Sequence, residues 1–169
     1  MPPVVNGVEV GTLRETAARV TAAPREATSR STVIWQGGLK SAAQSRDKPA
    51  VEIDEPAALG GQNSAATPVE MLLAALGSCV VSMVAARAAD KGVEIRSMRA
   101  EVHGTIARPS ILGLAPTDNP GFSSIGLHLF VDSSAGKEAL QEIVDFAVKR
   151  SPVGSTIARG TPIQSQLTV

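Results

Sequence analysis

A long apolar segment, Met71–Ala86, constrains the fold more than any other feature, because it contains sixteen consecutive uncharged residues. The residues before it form a strong helix start. Thr67 is a favourable N-cap and Pro68 suits the first helical position, while Glu70, three residues after the cap, completes a capping box. Gly92 is typical of a helix end. The sequence therefore predicts one long apolar helix through this segment.

The apolar helix raises the question of a membrane span. A span usually needs about 18 or more apolar residues, and this run is shorter and rich in alanine and glycine. A central helix buried on all sides explains the pattern better. Met1–Arg14 lacks a basic start followed by an apolar run, so no signal peptide is expected. We therefore expect a cytoplasmic protein that does not bind membranes.

Charge and composition exclude several classes of site. The chain has 16 basic and 16 acidic residues without a basic stripe, so no nucleic-acid partner is expected. A single cysteine allows neither an internal disulfide nor an all-cysteine metal site, and it fits a reducing cytoplasm. No histidine pair has metal-ligand spacing, and Gly60-Gly61 lacks the lysine of a phosphate loop. We therefore expect no metal and no cofactor.

Hydrophobic periodicity predicts the remaining elements. Strands and helices do not alternate strictly along the chain. Amphipathic helices are predicted at Asn6–Ala23 and Glu138–Lys149, with a short turn or helix from Ser151. Strands are predicted at Ala27–Gln36, Leu39–Ser45, Ala50–Asp54, Glu94–Ile106, Ile125–Val131 and Pro162–Val169. Because the strands are grouped, the predicted class is α+β. Residues 1–25 are predicted to form a helical extension, and residues 26–169 the main domain.

Cys79 is the first candidate for chemistry, at the middle of the apolar helix. A free cysteine is often only a small core hydrophobe. A reactive cysteine requires a cation, a helix N-terminus or a hydrogen-bond donor near its sulfur. Three and four residues before and after Cys79 on the same helix, the only polar residue is Ser82. Any activating group must therefore come from another part of the fold or from another subunit.

Glu70 and Ser151 are the other two candidate catalytic residues. Nine residues of helix place Glu70 on the face opposite Cys79 and about 13 Å away along the axis, so the capping box explains Glu70 better than catalysis does. Ser151 precedes Pro152, so it is also a candidate N-cap. The histidines, His103 and His128, lie on separate strands, and no serine nucleophile motif is present.

Four segments in order resemble the OsmC/Ohr family of thiol-dependent peroxide-detoxifying proteins. T-P-V-E-M-L-L-A-A-L-G-S-C resembles the family's helix signature, W-Q-G-G its first hairpin, D-E-P with G-G-Q-N the approach to the helix, and K-R-S-P-V the end of its second long helix. These segments are Thr67–Cys79, Trp35–Gly38, Asp54–Asn63 and Lys149–Val153. The resemblance extends over roughly residues 32–169, so it implies an OsmC-like domain at 26–169.

The resemblance implies a fold and a chemistry. The fold would have two long central helices wrapped by curved antiparallel sheets, in an intertwined homodimer. In active members the helix cysteine attacks the peroxide O–O bond and becomes a sulfenic acid. A second cysteine then closes a disulfide, which a dithiol reduces. Cys79 matches the attacking cysteine and Ser151 the second one, so an internal disulfide cannot form in this chain.

Because of two departures, the chain resembles a divergent OsmC-like subgroup more closely than the Ohr-type members. Where Ohr-type members have a glutamate in the helix signature, this chain has Val69, with Glu70 one residue later. Their arginine after the first hairpin is also missing, and Lys40 or Arg46 could replace it only if the geometry permits. The arginine–glutamate pair that activates the thiolate is therefore not recognisable.

The sequence leaves two functional hypotheses. The first is a one-cysteine peroxidase that reduces small apolar hydroperoxides at Cys79 and is regenerated by an external thiol or dithiol. Its apolar, alanine-rich surroundings suit a substrate with an alkyl tail. The second is a non-catalytic binding protein for a small apolar ligand, in which Cys79 only fills the core. Retention of Cys79 favours the first hypothesis, and loss of the second cysteine favours the other.

Overall fold

The structure, a computed structural model, describes residues 3–23, 26–107, 112, 114 and 119–168. Its helices are α1 (Val10–Ala22), α2 (Pro68–Asp90), α3 (Lys137–Arg150) and α4 (Pro152–Arg159), with a short 3₁₀ turn at Ala57–Leu59. Its strands are β1 (Val4–Val5), β2 (Val8–Glu9), β3 (Thr32–Gly37), β4 (Lys40–Gln44), β5 (Val51–Ile53), β6 (Ile95–Ile106) and β7 (Phe122–Ser133). The predicted α+β class is confirmed.

The chain divides into two compact units. The first unit holds the residues up to 18 and from 75 onward, and the second holds residues 19–74. Helix α2 begins in the second unit and continues in the first. The α2 boundaries agree with the capping signals of the sequence.

The core of the first unit lies between the helices and a long antiparallel hairpin. β6 pairs with β7, with Ala100 opposite Leu129 and Val102 opposite Leu127. As the alternation predicted, one face of the hairpin carries the apolar side chains. This face packs on the buried cluster formed by α2 and α3, which consists of Leu76, Val80, Val84, Ala88, Ile143 and Ala147.

Helix α2 is buried along one side within the chain, not on all sides as the sequence analysis expected. Its fully buried positions follow a single helical stripe, whereas residues such as Ser78 and Ser82 are exposed. The reason is that α3 and the β6–β7 hairpin cover only one side. Among the described residues, Pro68–Asp90 is the one helix long and apolar enough to span a membrane, with a hydropathy of 2.0. Core helices of soluble proteins meet the same criterion, so this is weak support for a membrane span.

The N-terminal helix starts four residues later than predicted. Asn6 and Gly7 both have positive φ, 54° and 74°, and turn the chain between β1 and β2 before α1 begins at Val10. The Asn6 amide donates to the Val93 carbonyl at 2.9 Å and accepts from the Ile95 N–H at 2.8 Å. These two hydrogen bonds tie the N-terminal turn to the start of β6.

The second unit contains a three-stranded antiparallel sheet in the order β3-β4-β5. The predicted hairpin turn is confirmed, since Gly37 and Gly38 have φ values of 101° and 55°. β5 leads into a loop that closes around the buried carboxylate of Asp54. We call residues 54–64 the carboxylate loop.

Asp54 organises the carboxylate loop by accepting four hydrogen bonds. Its donors are the backbone N–H groups of Glu55, Gln62 and Ser64 at 2.8, 3.1 and 3.0 Å, and the Ser64 hydroxyl at 2.9 Å. The Ser64 N–H contributes most to holding the pKa of Asp54 below its ordinary value of 3.8, while burial opposes this shift. The ionised carboxylate therefore holds the loop together.

The predicted final strand is wrong. The described residues of the predicted strand, 162–168, form no strand. Ile163 and Leu167 produce the apolar alternation that suggested a strand, but they are 94 % and 85 % exposed. A strand requires a neighbouring strand to pair its backbone, and no strand in the described part of the chain pairs with this segment.

Candidate functional site

Cys79 and Ser151 meet between α2 and α3, although 72 residues separate them in sequence. The Ser151 hydroxyl donates to the Cys79 sulfur, with 3.1 Å between Oγ and Sγ. Lys91 directly follows the end of α2, and its Nζ lies 2.7 Å from Oε1 of Glu142 in α3. The two contacts show that α2 and α3 run antiparallel, which aligns the middle of α2 with the end of α3.

Ser151 lies at the junction of two helices, where α3 ends and α4 begins. The predicted N-cap is confirmed, because its hydroxyl oxygen accepts from the Gly154 N–H at 3.0 Å. Pro152 occupies the first position of α4, where its missing N–H causes no loss. The Ser151 side chain is completely buried. A single hydroxyl thus caps α4 and contacts the sulfur.

Cys79 is half-buried, so it is neither fully enclosed in the core nor openly exposed. Among the described residues, Ser151 is the one hydrogen-bond partner of its sulfur, and no charged side chain bonds to it. The adjacent Ser78 hydroxyl turns back to the Ala75 carbonyl at 3.2 Å. Among the described residues, the polar group that reaches the sulfur from another part of the fold is therefore a neutral hydroxyl.

An apolar groove lies near the Cys79–Ser151 pair, although neither of the two residues lines it; Gly154, which adjoins Ser151, does. Its volume is about 460 Å³, and its lining comes from α2, β7, α3 and α4. The α2 residues that line it are Leu76 and Val80, and both lie on the same side of Cys79 around the helix. The remaining lining residues are Ile125, Leu127, Val148, Lys149, Gly154, Ser155, Ile157 and Ala158. A groove of this size and polarity suits a small apolar molecule.

Glu70 serves the start of α2. Its carboxylate accepts from the Thr67 N–H at 2.8 Å and from the Thr67 hydroxyl at 3.0 Å, and its own N–H donates to that hydroxyl at 3.2 Å. This is the reciprocal capping box that the sequence predicted. The Thr67 N–H is the main reason that the pKa of Glu70 lies below its ordinary value of 4.5.

Removing the cap should destabilise the protein measurably. We expect Thr67→Ala to lower the free energy of unfolding by about 1 kcal/mol, because α2 loses a side-chain acceptor for an unpaired N–H. Urea unfolding measures this change. Thr156→Ala is the matched control, since Thr156 is exposed inside a helix and should change stability by less than about 0.5 kcal/mol. Equal losses in both variants would contradict the capping role.

The capping box should also make stability depend on pH. Because the folded pKa of Glu70 is lowered, its stabilising contribution is present above the ordinary value of 4.5 and is lost as the pH falls through the folded pKa. The difference in urea midpoint between the wild type and Glu70→Ala should therefore shrink as the pH falls below 4.5. A difference that stays constant with pH would contradict this assignment.

The other candidate charged residues have local roles. Lys40 pairs with Glu52 at 3.1 Å within the second unit, and Arg46 occupies a turn after β4 with φ of 56°. His103 packs against Gly126, and His128 stacks on a phenylalanine ring on the exposed side of the hairpin. In the described part of the chain no three His, Cys, Asp or Glu residues are placed to hold a metal ion.

Comparison with known proteins identifies the family of this chain. Residues 61–166 match the family model described as OsmC-like protein. The chain belongs to the OsmC-like family. The match includes α2, the hairpin, α3 and α4, and it therefore contains both Cys79 and Ser151. Residues 1–60, including α1, lie before the matched region.

Solved structures share the fold of this OsmC-like protein at low sequence identity. An OsmC-like protein from Mycoplasma pneumoniae has a TM-score of 0.67 and 21 % identity, covering 79 % of this chain and 89 % of its own. Organic hydroperoxide resistance proteins from Legionella pneumophila and Elizabethkingia anophelis have TM-scores of 0.60 and 0.59, with 17 % and 20 % identity. Both cover 79 % of this chain and 90 % of their own. No curated protein matches the sequence significantly.

Sequence reasoning missed two features of this OsmC-like protein. The first is the hydrogen bond from the Ser151 hydroxyl to the sulfur, since the resemblance implied that Ser151 and Cys79 lie close together but not that the hydroxyl donates to the sulfur. The sequence feature that could have indicated it is the Ser151-Pro152 pair after α3, which predicts a helix start with a positioned hydroxyl. The second is the role of Asp54, which an acidic Asp-Glu-Pro turn did not distinguish from an ordinary loop. Both depend on contacts with residues distant in sequence or folded back by a loop.

Proposed function

We propose that this OsmC-like protein is a thiol-dependent peroxidase that reduces organic hydroperoxides at Cys79. The observation that carries the proposal is the half-buried sulfur held by Ser151 near an apolar groove. The thiolate attacks the outer peroxide oxygen and the O–O bond breaks. The alkoxide takes up a proton and leaves as an alcohol, while the sulfur becomes a sulfenic acid. Cys79 is thereby oxidised and the hydroperoxide is reduced.

Regeneration of Cys79 needs a thiol from outside the chain, since the protein has only one cysteine. A first external thiol condenses with the sulfenic acid, which forms a mixed disulfide and releases water. A second thiol attacks this disulfide and releases the reduced cysteine. An external dithiol supplies both thiols in one molecule. The names of two structural relatives, both organic hydroperoxide resistance proteins, support the same substrate class.

A second candidate function is binding of a small apolar ligand without catalysis. The apolar groove supports it, as does the absence of a hydrogen-bonded charged group at the sulfur among the described residues. In that case the groove would hold the ligand and Cys79 would be a packing residue. The two functions differ in whether Cys79 is oxidised by a hydroperoxide.

We further propose a homodimer in the cytoplasm. The incompletely covered sides of α2 and the exposed apolar side chains of α3, Phe146 and Val148, support a second copy as the covering partner. Sedimentation at micromolar concentration tests the dimer. The single cysteine supports a reducing compartment.

The peroxidase proposal is tested by trapping the sulfenic acid. The protein is treated with cumene hydroperoxide and then with a dimedone-type probe, and the labelled residue is identified by mass spectrometry. We expect Cys79 to be labelled, and hydroperoxide to be consumed catalytically when dihydrolipoamide is supplied. Cys79→Ser should reduce this consumption by at least about a hundredfold, because serine is a far weaker nucleophile.

The same measurements separate the two candidate functions. Labelling and turnover in the wild type, both lost in Cys79→Ser, support the peroxidase. An unlabelled Cys79, together with unchanged hydroperoxide consumption in Cys79→Ser, contradicts it. Saturable binding of cumyl alcohol in that case would support the ligand-binding protein instead.

A further inference from the structure

The Ser151 hydroxyl is oriented as a hydrogen-bond donor toward the sulfur that reacts in the proposed mechanism. We propose that the Ser151 hydroxyl donates a hydrogen bond to the Cys79 sulfur in the thiolate state and so promotes the reactivity of this cysteine. This inference rests on the proposed function. By resemblance alone, Ser151 only marks the position where other members have their second cysteine, and the inference gives it a role of its own. Ser151 therefore acts as a hydrogen-bond donor to the reacting atom.

The direction follows from the two contacts of the hydroxyl oxygen. It lies 3.1 Å from the Cys79 sulfur and accepts the Gly154 N–H at 3.0 Å. A thiolate carries no proton, so in that state only the hydroxyl can donate in this contact. The N–H from the first turn of α4 polarises the hydroxyl oxygen and leaves its proton for the sulfur. Since Ser151 is completely buried, water does not compete for that proton.

The position of the hydroxyl is held from both sides. The Ser151 N–H donates to the Val148 carbonyl at 3.4 Å, and the Ser151 carbonyl accepts from the Ser155 N–H at 2.9 Å. A methyl group placed at Gly154 would lie 3.3 Å from the hydroxyl oxygen and 3.4 Å from a Leu76 methyl group. The backbone and the close packing thus hold the hydroxyl in contact with the sulfur.

The contact affects both halves of the proposed reaction. A hydrogen bond to an anionic sulfur is stronger than one to a neutral thiol, so it favours the thiolate that attacks the peroxide. After oxidation, the same hydroxyl can donate to the sulfenate. Serine cannot form a disulfide, so the oxidised sulfur remains available to an external thiol. At the position of the second thiol, this chain therefore has a hydrogen-bond donor to the sulfur of Cys79.

The test is the rate at which iodoacetamide alkylates Cys79, measured in the full chain at about pH 7 and about pH 10. Ser151→Ala and Ser151→Gly both remove the hydroxyl, but glycine remains a good N-cap for α4. Ser151→Thr keeps the hydroxyl. We expect the alanine and glycine variants to react about tenfold more slowly at the lower pH, and the threonine variant to stay within about threefold of the wild type.

At the higher pH the rates should converge to within about twofold, because thiols are then ionised without help. A Ser151→Ala rate equal to that of the wild type at the lower pH would overturn the inference. Equal slowing at both pH values would also overturn it, since lost access then explains the effect. The inference would also be overturned if, at the lower pH, Ser151→Gly were alkylated as fast as the wild type. The same holds if Ser151→Thr were alkylated as slowly as the alanine variant is expected to be. Alkylation involves no peroxide, so failure of the proposed peroxidase activity is recognised separately in the hydroperoxide assay.

Discussion

Ser151→Cys should convert the candidate site into an internal disulfide under mild oxidation. The two side-chain atoms are 3.1 Å apart in the wild type, which small rotations can reduce to a bond of about 2.05 Å. The bridge would join residues 72 apart, and the chain-entropy model gives a stabilisation of about 4 kcal/mol for a loop of that size. About 1 kcal/mol of this is offset by loss of the serine N-cap.

The disulfide is measured by counting free thiols in the unfolded chain before and after reduction, and by urea unfolding of both forms. We expect no free thiol in the oxidised variant and a higher urea midpoint that dithiothreitol removes. Ser155→Cys, one turn further along α4, is the matched control and should keep both thiols free. Two free thiols in Ser151→Cys after oxidation would contradict the close approach of α2 and the α3–α4 junction.

Gly61→Ala should destabilise the protein more than any other glycine substitution in the carboxylate loop. A methyl group at this position would lie 1.9 Å from the Glu55 carbonyl oxygen and 2.4 Å from its carbon. These are backbone atoms, and the same carbonyl accepts the Asn63 N–H at 3.0 Å. Relief of the clash would break contacts that enclose Asp54. We expect a loss of about 3 kcal/mol or more in the free energy of unfolding.

Gly60→Ala is the control, because it separates the cost of backbone strain from the cost of a steric clash. Gly60 has φ of 92°, which disfavours other residues, but the space around it is open and the nearest atom belongs to the Leu39 side chain at 3.9 Å. We expect a loss of about 1 kcal/mol from backbone strain alone. Urea unfolding of the two variants gives the order. A Gly61→Ala loss no larger than that of Gly60→Ala would show that the loop rearranges without cost.

Sequence alone determined the elements that depend on neighbouring residues. The start of α2 was predictable because Thr67, Pro68 and Glu70 interact within one turn, and the structure shows their hydrogen bonds. The inward face of β6 and β7 was predictable because side chains alternate in a strand. The family was recognised from the order of four short segments, and the match over residues 61–166 confirms it.

The tertiary structure decided which of these residues meet and how. Antiparallel packing of α2 and α3 places Ser151 against Cys79, and the start of α4 directs the hydroxyl. The burial of α2 along one side and the unpaired segment after α4 also depend on what packs nearby. Local sequence patterns report interactions over a few residues. Contacts across 72 residues depend on the packing of whole elements, which only the folded chain specifies.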